Sequence, residues 1–226
     1  MEEQYILYMS TFPPRECGIA TFAQDLVSNI DKRYHPHLRS IILAMNKNET
    51  NTYNYQKKVA FQLDDSDIDK YISLAKKINR IDKIKLVNIQ HEFGIFGGQY
   101  GSYLNAFLEI LEKPVVITFH SVLPTPDVQM IKTIQAIARR VNAIIVMNER
   151  GRKILREVYG VRTDIHVIYH GIPYTPFGSG EKEKKHLGYK DRLVLCSFGM
   201  INPGKGYEYV IDALPHVIKQ FPNVIY

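Results

Sequence analysis

The sequence predicts an α/β protein built on a Rossmann-like, doubly wound parallel sheet, followed by the start of a second domain of the same kind. Three observations carry this. Short continuous apolar runs recur along the chain, as strands buried on both faces require. They alternate with segments whose apolar residues return every three to four positions, the period of a helix packed on a sheet. Turn-forming Gly, Pro and Asn punctuate the alternation.

The elements follow in order. YILYM, residues 5–9, is a buried strand, and Ile19, Phe22, Leu26 and Ile30 share one face of the next helix. Residues 38–45 and 59–63 form two further strands. Ser66 is placed to cap a helix whose apolar face is Ile68, Ile72, Ala75 and Ile78. KLVNIQ, residues 85–90, is a strand that runs into a glycine-rich loop expected to be mobile, with a helix near 99–111 beyond it. Residues 114–119 are strand-like. Ile131, Ile134, Ile137 and Val141 mark a helix, and residues 143–147 another strand. Asn148 caps a helix that Gly160 closes, and residues 165–169 end the series. The first domain is thus expected over 1–172.

From Gly171 to Lys190 the chain is rich in Gly, Pro and Lys without an apolar period, and residues 173–190 read as a linker. Residues 192–198 begin a new strand. Residues 205–220 follow as a helix with Val210, Ile211, Leu214 and Val217 on one face, and 223–226 as another strand. A lone strand–helix–strand leaves sheet faces and edges uncovered, so residues 191–226 are expected to be the opening of an incomplete second domain.

Bulk composition narrows the class. The 226 residues are 45% hydrophobic and 23% charged, as a globular chain is. Two distant cysteines, Cys17 and Cys196, show neither disulfide framework nor metal-ligand spacing, so a reducing compartment is the default. No apolar run approaches the roughly 18–20 residues of a membrane helix, and MEEQYILYMS is not a secretory signal. The expected location is the cytoplasm, with room for contact at the inner membrane face. A net charge of +6 suits a phosphate-bearing ligand, an anionic membrane or a nucleic acid. The densest basic stretch, Lys182 to Lys185, is interleaved with Glu, and no nucleic-acid motif is present.

Ligands of open parallel sheets sit beyond the carboxyl ends of the strands, so the chemistry is sought in four loops. STFPPRECG, residues 10–18, enters a helix at Gly18, where free N–H groups and the dipole favour an anion; Arg15 adds charge. A tight turn that needs glycine is the plainer account. QHEFGIFGG, residues 90–98, sets His91 and Glu92 at a strand end suited to hydroxyl-rich ligands; a solvated His–Glu pair is the alternative. His120, after VVITF, can bond a sugar hydroxyl or phosphate oxygen, or serve structurally. GMINPGKG, residues 199–206, puts Gly204, Lys205 and bare N–H groups at a helix start, a diphosphate-binding arrangement that is not a Walker loop.

Taken together, FPPRECGIATF, HEFGIFGG, TFHSVLP, YHGIP and FGMINPGKGYEYVI, in that order, resemble glycosyltransferase family 4, the group 1 transferases. The resemblance implies a GT-B arrangement of two Rossmann-like domains. The first holds the acceptor, and the second holds most of a nucleotide sugar of the GDP-mannose or UDP-glucose type. Transfer would retain anomeric configuration, without metal or other cofactor. By resemblance Gly18, with Arg15, would meet the donor phosphates; His120 would touch the transferred sugar as the catalytic residue. Gly204 and Lys205 would meet the diphosphate, and His91 and Glu92 would lie near a carbohydrate or lipid-linked glycan acceptor. Met200 stands where many family members carry Arg, and Glu149 and Glu157 match the family's paired-Glu spacing only on a solvated first-domain helix. As the family's nucleoside pocket lies further along, this chain alone is expected to be inactive or nearly so. The competing function is a non-catalytic module that binds a sugar, an acceptor or a partner protein; nucleic-acid binding is not expected.

Overall fold

The computed structural model describes residues 3–47, 53–172, 174–199, 201 and 203–226. The chain divides into two compact units, residues 1–171 and 172–226.

In the first unit the elements are β1 (Gln4–Ser10), α1 (Gly18–Tyr34), β2 (Leu38–Asn46), β3 (Val59–Asp64), α2 (Ile68–Asn79) and β4 (Ile84–His91). Then come α3 (Tyr103–Ile110), β5 (Val115–Phe119), α4 (Val128–Ala138), β6 (Ala143–Val146), α5 (Glu149–Glu157) and β7 (Ile165–Val167). The strands form one sheet in the order β3-β2-β1-β4-β5-β6-β7, parallel throughout. This is the doubly wound layout the apolar runs predict. Chain order reverses between β1 and β4, the switch point at which such sheets open a crevice at their carboxyl edge.

The apolar runs are continuous because alternate residues serve different faces. Leu7, Met9, Leu43 and Met45 enter the larger core cluster, while Tyr8, Ile42 and Ala44 enter a smaller one with Ala23 and Val27 of α1. Phe107 of α3 and Ile134 and Ile137 of α4 are buried in the larger cluster. Each such side chain contributes about 1.5–3 kcal/mol by leaving water.

Four local expectations are corrected. The buried stripe of α1 is Ala20, Ala23 and Val27, so that the helix lies close on the sheet; Ile19, Phe22, Leu26 and Ile30 flank it half-exposed. Asp67, not Ser66, caps α2, accepting from the N–H groups of Asp69 and Lys70; Ser66 bonds Asp64 instead. Tyr71 replaces the exposed Ile68 on that helix's buried face, with Ala75 and Ile78. The helix expected over 99–111 is broken into a 3-10 turn, Gln99–Gly101, and α3, because Gly98, Tyr100 and Gly101 all have positive φ.

The glycine loop after β4 is anchored rather than mobile. Ile95 and Phe96 are buried, the Gly97 N–H donates to the Tyr71 hydroxyl at 3.1 Å, and the Tyr100 hydroxyl bonds Asp127. A Cβ on Gly97 would lie 1.7 Å from the Asp65 carbonyl oxygen, so glycine is required there by a close backbone approach.

The second unit has α6 (Glu181–His186), β8 (Leu193–Val194), a 3-10 turn (Pro203–Lys205), α7 (Tyr207–Gln220) and β9 (Val224–Ile225). β8 and β9 pair in parallel. The stretch expected as linker therefore contains a short helix, and its strand is shorter than the apolar run 192–198 suggests. None of its described residues is buried, and Phe198, Tyr209 and Ile211 are largely exposed. A pair of two-residue strands with one long helix has too little apolar surface to close a core.

Candidate functional site at the carboxyl edge of the sheet

The loop after β1 begins with buried Thr11 and Phe12 and ends at α1, whose N-cap is Cys17. The Cys17 Sγ accepts from the Ala20 N–H at 3.3 Å and contacts the Thr11 Oγ1 at 3.0 Å. Gly18 opens the helix. It is exposed, and a Cβ built on it would meet nothing within 4 Å. The fold therefore does not need glycine there; its absent side chain leaves the Gly18 and Ile19 amides open to approach by an anion, the Ala20 N–H being taken by Cys17. Arg15 is half-buried and donates to the Met45 carbonyl oxygen at 2.9 Å, which ties it to the end of β2.

His120, just past β5, is held from two directions. Its backbone N–H donates to the His91 carbonyl oxygen at 3.0 Å, and its Nε2 bonds the Gln90 Oε1 at 2.8 Å. The Gln90 amide nitrogen is engaged by the Asn88 Oδ1 at 2.5 Å, which leaves its oxygen for the imidazole. Nε2 therefore carries the proton and Nδ1 the lone pair. Burial, reinforced by the positive charge His170 can carry, pushes the His120 imidazole down to about 4. At neutral pH His120 is thus an uncharged hydrogen-bond acceptor through Nδ1, suited to a sugar hydroxyl rather than to a phosphate.

Glu92 clasps the loops after β4 and β5 together. One carboxylate oxygen accepts from the Ser121 hydroxyl at 2.6 Å and the other from the Phe93 N–H at 3.0 Å. Two residues that motif reading passed over complete the cluster. Phe22, one turn into α1, lies with its ring 4.8 Å from that of His120 and 5.0 Å from that of His170. The half-buried ring thus links the helix that Gly18 opens with the ends of β5 and β7. Its place within CGIATF, four residues after Gly18, was the available signal; His170 stands in YHGIP.

His91 is placed differently from its neighbours. Its ring is fully buried, stacked on Phe96 at 5.6 Å and edge-on to Phe119 at 4.9 Å and Phe93 at 5.4 Å. Neither ring nitrogen has a hydrogen-bond partner among the described residues. Burial first, and the nearby His120 second, push it down to about 3, so it is neutral. A strand-end residue points to alternate faces, and here the inward turn puts the imidazole in the core rather than at the edge where a ligand would sit.

Gly204 and Lys205 belong to the second unit, where both are exposed. Lys205 ends the 3-10 turn, and Gly206, at φ +69, is the N-cap of α7; the helix starts two residues later than the apolar period suggests. Met200 lies outside the described residues. Glu149 and Glu157 are both exposed on α5, and Glu149 pairs with Arg152 at 2.6 Å. Beside His120, the ends of β5 and β6 border a cavity of about 350 Å³.

A family model described as Glycosyltransferase Family 4 matches residues 18–175, more than half of the chain. The chain belongs to glycosyltransferase family 4. The match begins at Gly18 and takes in Glu92, His120 and His170 along one edge of the sheet, as well as the buried His91. Among solved structures this family 4 chain is similar to sucrose-phosphate synthase from Thermosynechococcus elongatus, at 11% identity and a TM-score of 0.49. That similarity covers 82% of this chain and 96% of the other. No curated protein matches the sequence. Among the described residues no helix is long and apolar enough to cross a membrane.

Proposed function

We propose that the chain is the acceptor-side part of a retaining glycosyltransferase that moves a sugar from a nucleotide-sugar donor, of the GDP-mannose or UDP-glucose type, to an acceptor hydroxyl. The observation that supports it most is the pairing, through Phe22, of an open helix start at Gly18 with the neutral imidazole of His120. One feature suits a diphosphate and the other a sugar hydroxyl. Both follow strands at the carboxyl edge of the parallel sheet, where α/β sheets bind ligands.

As the glycosidic bond breaks, the departing nucleoside diphosphate gains negative charge. Amide dipoles and cations meet that charge when they are already oriented towards it. In this reading the Gly18 and Ile19 amides of α1 approach the phosphates, with Arg15 as a neighbouring cation. His120 touches the transferred sugar with its ring and helps to fix that sugar against the carboxyl edge of the sheet. Glu92 holds the two loops that carry the acceptor end, and His91 supports His120 through its carbonyl oxygen. Lys205 and Gly204 of the second unit are assigned to the diphosphate on motif resemblance, with no metal invoked. The working location is the cytoplasm, with any membrane contact peripheral. Residues 172–226 supply no buried side chain among those described, so slow or absent turnover is expected of the 226-residue chain by itself.

The test is a nucleotide-sugar screen. UDP-glucose and GDP-mannose are offered to the chain, alone and within any longer protein that contains it, and diphosphate release and sugar transfer are measured. The reading expects donor consumption that His120→Ala reduces at least tenfold. Consumption at the wild-type rate by His120→Ala removes the imidazole from the reaction, and absence of both donor binding and consumption overturns the reading.

A further inference from the structure

The cavity beside His120 was not indicated by any sequence motif. It opens between the loop after β5 and the turn from β6 into α5, on the side of His120 away from β1. Val122, Val146 and Ile154 give it apolar walls, and His120, Asn148 and Arg150 its polar groups. Gly151 closes the base: a Cβ there would stand 3.4 Å from the Asn148 Oδ1 and 3.6 Å from Val122 and Val146. About 350 Å³ falls at the small end of the range for ligand sites, room for one compact molecule.

Of these polar groups Arg150 alone carries a charge, and it is positive. Among the described residues no carboxylate lines the cavity. Among the described residues Arg150 has no ion-pair partner, and the adjacent Glu149 is already engaged by Arg152 at 2.6 Å. The Asn148 Oδ1 is used in accepting from the Gly151 N–H at 2.7 Å, which leaves the Asn148 amide N–H groups as donors. His120 keeps its Nδ1 lone pair for a hydroxyl. A ligand that satisfies all of these has an anionic group for the guanidinium and the amide donors, a hydroxyl for the imidazole, and C–H faces for the valine and isoleucine walls.

We propose that this cavity is the acceptor subsite and that the acceptor is an anionic sugar, its phosphate met by Arg150 and one hydroxyl presented beside His120. The proposal rests on the reading of His120 as the residue that touches the transferred sugar. The acceptor enters from the β6 side of His120, while the Gly18 helix start lies on the β1 side. Donor and acceptor would then flank one imidazole. Arg150 determines specificity by charge, because a planar guanidinium can meet two phosphate oxygens at once.

The test uses the 226-residue chain and three probes: glucose 6-phosphate, glucose and inorganic phosphate. Backbone NMR shifts are followed on titration. Glucose 6-phosphate is expected to move Val122, Asn148, Gly151 and Ile154, with affinity at least tenfold above that for glucose. Arg150→Ala is expected to remove that tenfold preference, with Arg150→Lys restoring part of it. Arg139→Ala, at the C-terminal end of α4 and so at the opposite edge of the sheet, should change nothing. Equal affinities for glucose and glucose 6-phosphate, shifts confined to other residues, or a preference that survives Arg150→Ala would each overturn the proposal. Inorganic phosphate producing the same shifts at the same affinity would do so too, since the sugar would then contribute nothing. The parent reading fails separately: anionic sugar bound here with no nucleotide sugar ever consumed removes the transferase function but leaves the cavity a sugar-phosphate site. Transfer to neutral acceptors alone does the reverse.

Discussion

Lowering the pH from 7 to 5 should destabilise the first unit by about 3–4 kcal/mol, almost all of it through two histidines. His91 and His120 are held below their ordinary value of 6.5, at about 3 and about 4, chiefly by burial. Between those values and 6.5 the unfolded chain binds protons that the folded chain refuses. Stability is therefore complete above pH 6.5 and is lost as pH falls towards the folded values. At pH 5 both folded values are already below the solution pH, so the loss depends on the unfolded value alone. One and a half pH units at about 1.4 kcal/mol each give about 2 kcal/mol per histidine. The half-buried His120 is counted at somewhat less because water screens it. Carboxylates do not confuse the window. Asp127, held low by Tyr100 and the Met130 N–H, and Asp31, where burial is outweighed by bonds from Lys58 and Ser40, contribute stability that is lost only below about pH 4. The assay is urea unfolding at pH 7, 6 and 5, followed by circular dichroism or tyrosine fluorescence, since the chain has no tryptophan. His91→Phe keeps a ring among Phe93, Phe96 and Phe119 and should remove about half of the pH-dependent loss. It should cost little at pH 7, because it also removes an unpaired buried N–H that itself costs about 1–3 kcal/mol. A wild-type stability that is flat from pH 7 to 5, or a slope that His91→Phe leaves unaltered, would refute the reasoning.

Two glycines should respond in opposite ways to the same change. Gly97→Ala drives a methyl into the Asp65 carbonyl and the Tyr103 ring and is expected to cost about 3 kcal/mol or more, read as a lower urea midpoint. Gly18→Ala meets no neighbour and should leave stability unchanged or raise it by about 0.4–1 kcal/mol, while weakening nucleotide-sugar binding in a direct titration. Phe107→Ala should cost about 3–5 kcal/mol through the cavity it leaves in the larger core cluster, measured in the same unfolding assay. Lys205→Ala, exposed in the second unit, should leave the melting of the first unit in place and lower donor turnover in any active longer protein; unchanged turnover removes Lys205 from the site.

Much of the candidate site was legible because its residues follow strands, and strand ends are readable from where an apolar run stops. Gly18, Glu92 and His120 were found in that way, and the sheet places all three along its carboxyl edge. Phe22 escaped because helical periodicity made it one more core residue beside Ile19, Leu26 and Ile30. Which member of a half-buried stripe faces a ligand edge depends on how the helix rolls on the sheet. The small Ala20 and Ala23 set that roll. The anchored glycine loop escaped for a related reason: glycine permits motion, but the bonds to Tyr71 and to Asp127 reach elements distant in sequence.

The chain's own order of apolar runs and helical periods determined the class of fold, the number of sheet strands and the loops worth inspecting, because these depend on local patterns of two and of three to four residues. Tertiary structure alone decided which way each side chain at a strand end turned. His91 and His120 look equivalent as imidazoles closing apolar strands. One register position sends the first among phenylalanines and leaves the second at the edge beside Gln90, Phe22 and the open cavity. Water is excluded from one and reaches the other, and that difference in solvation follows from packing between segments that the sequence lists far apart.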